Sequence, residues 1–159
     1  MTADNILLDL PAFLRTLRAE RRSAMLIHGA PLCGKSRFAR QLADKVDGGY
    51  LNVLDTLSHR PDLSAQIDQF DPSTLRGLVL ESVKSAPKDV ILVDELDFLF
   101  PIWGTNLKPF QDILYDLYNP QRGTAFVFFA QTRPEWETWQ LETASRQNRI
   151  ILFENLKPL

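Results

Sequence analysis

The chain has 159 residues, 45% hydrophobic and 24% charged, enough for one globular domain with a sizeable core. Its formal net charge of −2 builds in no pull toward nucleic acid or an anionic membrane, so DNA stays open as a partner without being indicated by charge. One cysteine, Cys33, excludes a disulfide framework and fits a reducing cytoplasm; acidic Asp4 and Asp9 argue against a signal peptide, and no apolar run approaches the roughly 20 residues of a membrane span.

Leu10, Phe13, Leu14 and Leu17 recur at helical spacing and predict a helix over about 11–21. Residues 23–28 (SAMLIH) are short, apolar and followed by glycine, which suits a buried strand. Phe38, Leu42 and Val46 share one face of a helix over 36–46, stopped by Gly48 and Gly49. Residues 50–54 read as a second strand and 61–70 as a short helix. Leu75, Leu78, Val79 and Val83 form the stripe of a helix over 72–86. Residues 89–93 (DVILV) are nearly all apolar, as in strands covered on both faces. A helix is expected over 107–118, a strand over 124–130 (TAFVFFA), a helix over 134–145 and a last strand over 149–153 (RIILF). Strands alternating with helices imply crossover connections. The expected fold is one α/β domain over 1–159, a three-layer sandwich around a mainly parallel five-stranded sheet.

Residues 29–36, Gly29-Ala30-Pro31-Leu32-Cys33-Gly34-Lys35-Ser36, fit G-x-x-x-x-G-K-[ST] between a strand and a helix. The glycines let successive N–H groups face a phosphate, and the helix behind, entered through Arg37, adds its positive end. Lys35 would reach the terminal phosphates of ATP, and the Ser36 hydroxyl would coordinate Mg²⁺. The motif marks a P-loop NTPase. Cys33 fills a variable position of the loop.

The strand 90–93 ends in Asp94 and Glu95, at the carboxyl edge where open parallel sheets bind ligands. Asp94 is therefore expected in the Mg²⁺ shell, and Glu95 as the base that polarises the attacking water. Nearby Asp97 reads better as a cap or a solvated residue.

These residues resemble the AAA+ class of P-loop ATPases, in which an extra strand separates the phosphate loop from an acidic Asp-Glu strand end. Gln131-Thr132-Arg133-Pro134-Glu135 resembles the stretch after the fourth AAA+ strand. That resemblance gives Thr132 the role of placing the lytic water. Arg146-Gln147-Asn148-Arg149 resembles the Arg-x-x-Arg segment before the last AAA+ strand, whose arginines act on a neighbouring subunit's ATP. The chain ends six residues after RIILF, so the usual C-terminal helical lid is not expected. Length and motif context also resemble the BrxF family, the small P-loop proteins of BREX bacteriophage-defence systems. That likeness implies a cytoplasmic defence role beside other defence-system proteins, while the AAA+-like arginines imply a homo-oligomerising ATPase. The alternative is a nucleotide-binding adaptor or scaffold with little intrinsic hydrolysis.

Three further features have more than one reading. Arg15, Arg18 and Arg22 fall on one face of the first helix, for DNA, an acidic partner or simply water. Trp136, Trp139 and Leu141 suit a subunit interface or the core. Phe98, Phe100, Ile102 and Trp103 form an apolar cluster that would suggest a protein partner if part of it is exposed.

Overall fold

The computed structural model describes residues 7–117, 123–143 and 147–159. Five strands form one sheet: β1 Ala24–Gly29, β2 Gly49–Asn52, β3 Val90–Asp94, β4 Ala125–Gln131 and β5 Ile150–Leu152, in the order β2-β3-β4-β1-β5. Every strand pairing is parallel, with Leu26 aligned to Phe128 on one side and Ile150 on the other. The expected α/β fold with a parallel five-stranded sheet is what the chain adopts.

The apolar strands are sorted by alternation, since successive side chains leave opposite faces. Ala24, Leu26, Ile91, Val93, Phe126 and Phe128 enter one core. It is closed by helices α5 Pro72–Ser85, α6 Leu99–Trp103, α7 Lys108–Asp116 and α8 Pro134–Glu137. Met25, Ile27, Leu92, Val127 and Phe129 enter the other, closed by α1 Leu10–Leu17 and α2 Lys35–Val46. A strand buried on both faces has no polar positions to show. That is why these segments read as unbroken apolar runs.

Several element ends differ from expectation, each for a local reason. Helix α1 is capped by Asp9, whose Oδ1 accepts from Ala12 N at 3.2 Å, and stops at Leu17, where the apolar stripe runs out. Arg18 then turns away: its Nε donates to Gly123 O (2.7 Å) and its Nη2 meets Asp89 at 2.9 Å. Arg22 lies beyond the helix, stacked 4.3 Å from the Tyr115 ring centre. The three arginines therefore do not share a helix face. Strand β2 ends at Asn52 because its side chain caps α3 Val53–Ser58 by accepting from Asp55 N at 2.9 Å. The span 61–70 splits into α4 Pro61–Ser64 and a 3-10 turn at Ile67–Gln69. Of the expected helix over 134–145, only α8 forms among the described residues, and residues 144 and 145 lie outside them. After it, Glu142 and Asn148 form an antiparallel bridge, and Asn148 Oδ1 accepts from Leu141 N and Ile150 N. Tyr118, at the expected end of the 107–118 helix, lies outside the described residues.

Trp136 and Trp139 pack into the core with Phe100 and Phe110, ring centres 4.6–6.2 Å apart. They are buried within the chain. Of the 98–103 cluster, Leu99 and Phe100 are buried and Ile102 is exposed.

Candidate nucleotide site

Strand β1 delivers the chain to Gly29 and α2 takes it up at Lys35. The two motif glycines are required for different reasons. A Cβ on Gly29 would lie 3.0 Å from both Cys33 Sγ and Phe153 Cβ, so any side chain there would have to push these neighbours aside. Gly34 has φ +100°, a left-handed value that disfavours any side chain. Leu32 is also left-handed, at φ +60°, and its side chain is exposed. Ala30, Pro31 and Cys33 complete the exposed loop, and Arg37 is exposed on the first turn of α2.

Lys35 is buried and its ammonium turns back into the loop. Its Nζ donates to Ala30 O (2.8 Å), Gly29 O (3.1 Å) and Cys33 Sγ (3.6 Å). Ser36, one residue on, donates its hydroxyl to Glu95 Oε1 at 3.2 Å. Lys35, Ser36, Arg37, Asp94, Glu95 and Gln131 line one open cleft of about 490 Å³.

Asp94 closes β3 and is only 4% exposed. Its Oδ2 accepts from the Tyr50 hydroxyl at 2.6 Å. Burial first, and the bond to the Asp94 carboxylate second, push the Tyr50 phenol well above its ordinary range, so it stays a donor. Glu95 has φ +58°. For a non-glycine residue that conformation costs on the order of 1–2 kcal/mol, and it sits at the point where the chain leaves the sheet beside the phosphate loop.

Asp97 is neither a helix cap nor free in water. Its Oδ1 accepts from Gln131 N at 2.8 Å, tying the loop after β3 to the end of β4, and burial raises its carboxyl above the usual range. Thr132 lies beside β1: its N–H donates to Gly29 O at 3.0 Å and its Oγ1 shares a hydrogen bond with His28 Nδ1 at 2.9 Å. The cleft lining includes Gln131 and not Thr132. Burial, partly opposed by Glu137 and aided by Lys35, lowers the His28 imidazole from its ordinary value.

Arg149 lies elsewhere, 1% exposed at the foot of β5. Its Nη1 donates to Ala24 O (2.9 Å), Leu114 O (3.1 Å) and Arg22 O (3.4 Å). The structure does not bring this guanidinium to the phosphate loop, and its burial inside the chain leaves little of it to present to a neighbour. Arg146 falls outside the described residues.

A phosphate loop, an acidic strand end beside it and the strand order β2-β3-β4-β1-β5 agree with a match over most of the chain. The family model "ATPase family associated with various cellular activities (AAA)" matches residues 25–155. The chain belongs to the AAA family. No curated protein matches it. AAA membership carries ATP binding and ATPase-type function as the coarse assignment. The oxygen donors of Ser36 and Asp94 suit Mg²⁺, which takes few protein ligands and completes its shell with phosphate oxygens and water. No group of three or more His, Cys, Asp or Glu among the described residues could hold a metal alone.

Sequence reasoning missed Tyr50, His28 and Gln131 as parts of this AAA site. Each is polar at or near a strand end, but only the register shows what it faces. No helix among the described residues of the AAA chain is long and apolar enough to cross a membrane.

Proposed function

We propose that this AAA protein hydrolyses ATP, with Lys35 on the terminal phosphates, Ser36 and Asp94 holding Mg²⁺, and Glu95 as the base. The observation that carries the reading is the 3.2 Å contact between Ser36 and Glu95, 59 residues apart in sequence. It joins a metal-binding hydroxyl on the phosphate loop to a carboxylate able to take a proton from water. In the reaction Lys35 exchanges its carbonyl acceptors for phosphate oxygens. Mg²⁺ held by Ser36 and Asp94 would neutralise charge on the phosphates. Glu95 released from Ser36 orients water in line with the γ-phosphorus and accepts its proton.

A homo-oligomer is part of this reading. Arg146 serves as the residue that reaches a neighbouring subunit's ATP, the buried Arg149 having a structural job. ATP state would then control self-assembly or assembly with other proteins. The motif context supports a cytoplasmic role in BREX-type phage defence. DNA is a weaker candidate partner, given a net charge of −2. One observation favours the adaptor alternative: the Thr132 hydroxyl is engaged by His28 rather than directed into the cleft.

Phosphate release and ATP binding, measured on wild type, Lys35→Ala and Glu95→Gln, test the reading. Lys35→Ala should lose ATP; Glu95→Gln should keep ATP and lose turnover by two to four orders of magnitude, roughly. Equal turnover in wild type and Glu95→Gln would transfer the case to the adaptor. For the assembly, Arg146→Ala mixed with Lys35→Ala should regain activity, since one intact site can form between the two chains. A mixture that stays dead, in a protein that stays monomeric with ATP and Mg²⁺, would end the shared-site reading.

A further inference from the structure

We propose that Asp97 is a positioning residue for hydrolysis: by holding the backbone of Gln131 it keeps Glu95 in its strained turn beside the phosphate loop. The inference rests on the reading of Glu95 as the base and names the residue that sets its place.

The turn after β3 needs an anchor. Asp94 ends the strand, Glu95 takes φ +58°, and the chain enters α6 at Leu99. A left-handed residue other than glycine persists only where its surroundings over-determine it. Leu96 is buried in the core and fixes the depth of the turn, but an apolar contact sets no direction. Asp97 adds the direction, since its Oδ1 accepts from Gln131 N at 2.8 Å. In the structure Ser36 also holds Glu95 Oε1. In the proposed reaction Glu95 is released from Ser36, and the Asp97 tie is then what keeps its turn in place.

The anchor stands where the sheet leaves a gap. The β3–β4 ladder runs to Val93 and Phe128, while β4 continues along β1 through Phe129, Ala130 and Gln131. Beyond Val93 the backbone of β3 has turned away, and Asp97 brings a carboxylate back to the Gln131 N–H. Gln131 is itself fixed, because its carbonyl accepts from Nε1 of the buried Trp136 at 2.8 Å. The next residue, Thr132, donates its N–H to Gly29 O at 3.0 Å, the same carbonyl that accepts from Lys35 Nζ. One chain of contacts thus runs from the turn of Glu95, through Asp97 and the end of β4, to the first glycine of the phosphate loop. It crosses β3, β4 and β1 in their order in the sheet. Lys35, Glu95, Asp97 and Gln131 all line the same cleft.

Steady-state ATP hydrolysis by Asp97→Ala and Asp97→Asn tests the role. Alanine removes the acceptor; asparagine drops the charge but keeps an oxygen that can accept from Gln131 N. Asp97→Ala should lose about ten- to a hundredfold in kcat, the scale of a misplaced catalytic group, with KM for ATP within about twofold of wild type. Asp97→Asn should stay within about threefold of wild type in both. In a Glu95→Gln background, Asp97→Ala should change the residual turnover by less than about twofold, since a residue acting through Glu95 has nothing left to place. Wild-type kcat in Asp97→Ala, an equal factor lost in both backgrounds, or a loss in Asp97→Asn as large as in Asp97→Ala would overturn the positioning role. Wild-type turnover in Glu95→Gln would instead sink the base reading beneath it. Amide hydrogen exchange on the wild-type protein gives a readout that needs no variant. The N–H of Gln131, an exposed residue, should be protected, and exchange at the rate of an untied loop would overturn the anchor.

Discussion

The Tyr50 hydroxyl donates to Asp94 Oδ2 at 2.6 Å across the β2–β3 pair, where Tyr50 stands level with Leu92 and Asn52 with Asp94. The bond is diagonal between adjacent parallel strands and fixes one oxygen of a buried carboxylate. The other oxygen is left for the cleft, so Tyr50 would set the direction in which Asp94 meets a cation.

Tyr50→Phe should therefore weaken ATP binding about three- to tenfold when Mg²⁺ is present, near 1 kcal/mol. With Mg²⁺ chelated the two proteins should bind alike. Nucleotide titrations with Mg²⁺ and with EDTA decide it. A loss of equal size under both conditions would mean the tyrosine matters only for packing.

Glu95 is held at φ +58°, which leads to an unusual ordering of variants. Glu95→Ala and Glu95→Gly both remove the carboxylate and should both abolish hydrolysis. At an ordinary position glycine would be the less stable of the two, by roughly 0.5–1 kcal/mol. Here alanine keeps the left-handed strain and glycine relieves it, so Glu95→Gly should be the more stable by about 1 kcal/mol. Urea midpoints measure the difference; the ordinary order would show that the turn relaxes once the side chain is gone.

These two residues mark where sequence reading succeeds and where it stops. The sheet was legible because β1, β3 and β4 carry so few polar residues that no other assignment buries them. Lys35, Ser36, Asp94 and Glu95 were legible because motif spacing and strand ends carry them to one edge. Tyr50 was not, since its bond to Asp94 depends on a register that no local pattern announces. The place of Thr132 beside His28, rather than in the cleft, is a matter of one residue's offset at the end of β4. Among the described residues the helix expected over 134–145 stops at Glu137: Trp136, Trp139 and Leu141 carry helix-like apolar spacing, but beyond α8 the chain instead pairs Glu142 with Asn148 in an antiparallel bridge.

Arg149→Ala should act on stability before it acts on ATP. The substitution strips donors from the buried carbonyls of Ala24 and Leu114 and leaves a cavity at the foot of the sheet. A loss of about 3 kcal/mol is expected. Chemical denaturation checks this. A variant as stable as wild type that lost hydrolysis only in assemblies would instead return Arg149 to the neighbour's site.

The last prediction concerns acid. His28 is largely buried, and desolvation holds its imidazole below the ordinary value of about 6.5. Glu137 works against that shift and Lys35 with it. In the unfolded chain the ring protonates as pH falls through about 6.5, while in the folded chain it stays neutral to lower pH. Within that window the unfolded state binds more protons, so folding stability must fall as pH drops and level off above about 6.5. Protonation would also convert His28 Nδ1 into a donor only, which constrains its bond to Thr132. His28→Gln keeps a polar partner for Thr132 and cannot titrate. Its melting temperature should therefore change less than that of wild type between about pH 7.5 and pH 5.5. Two parallel curves would show that some other group carries the acid sensitivity.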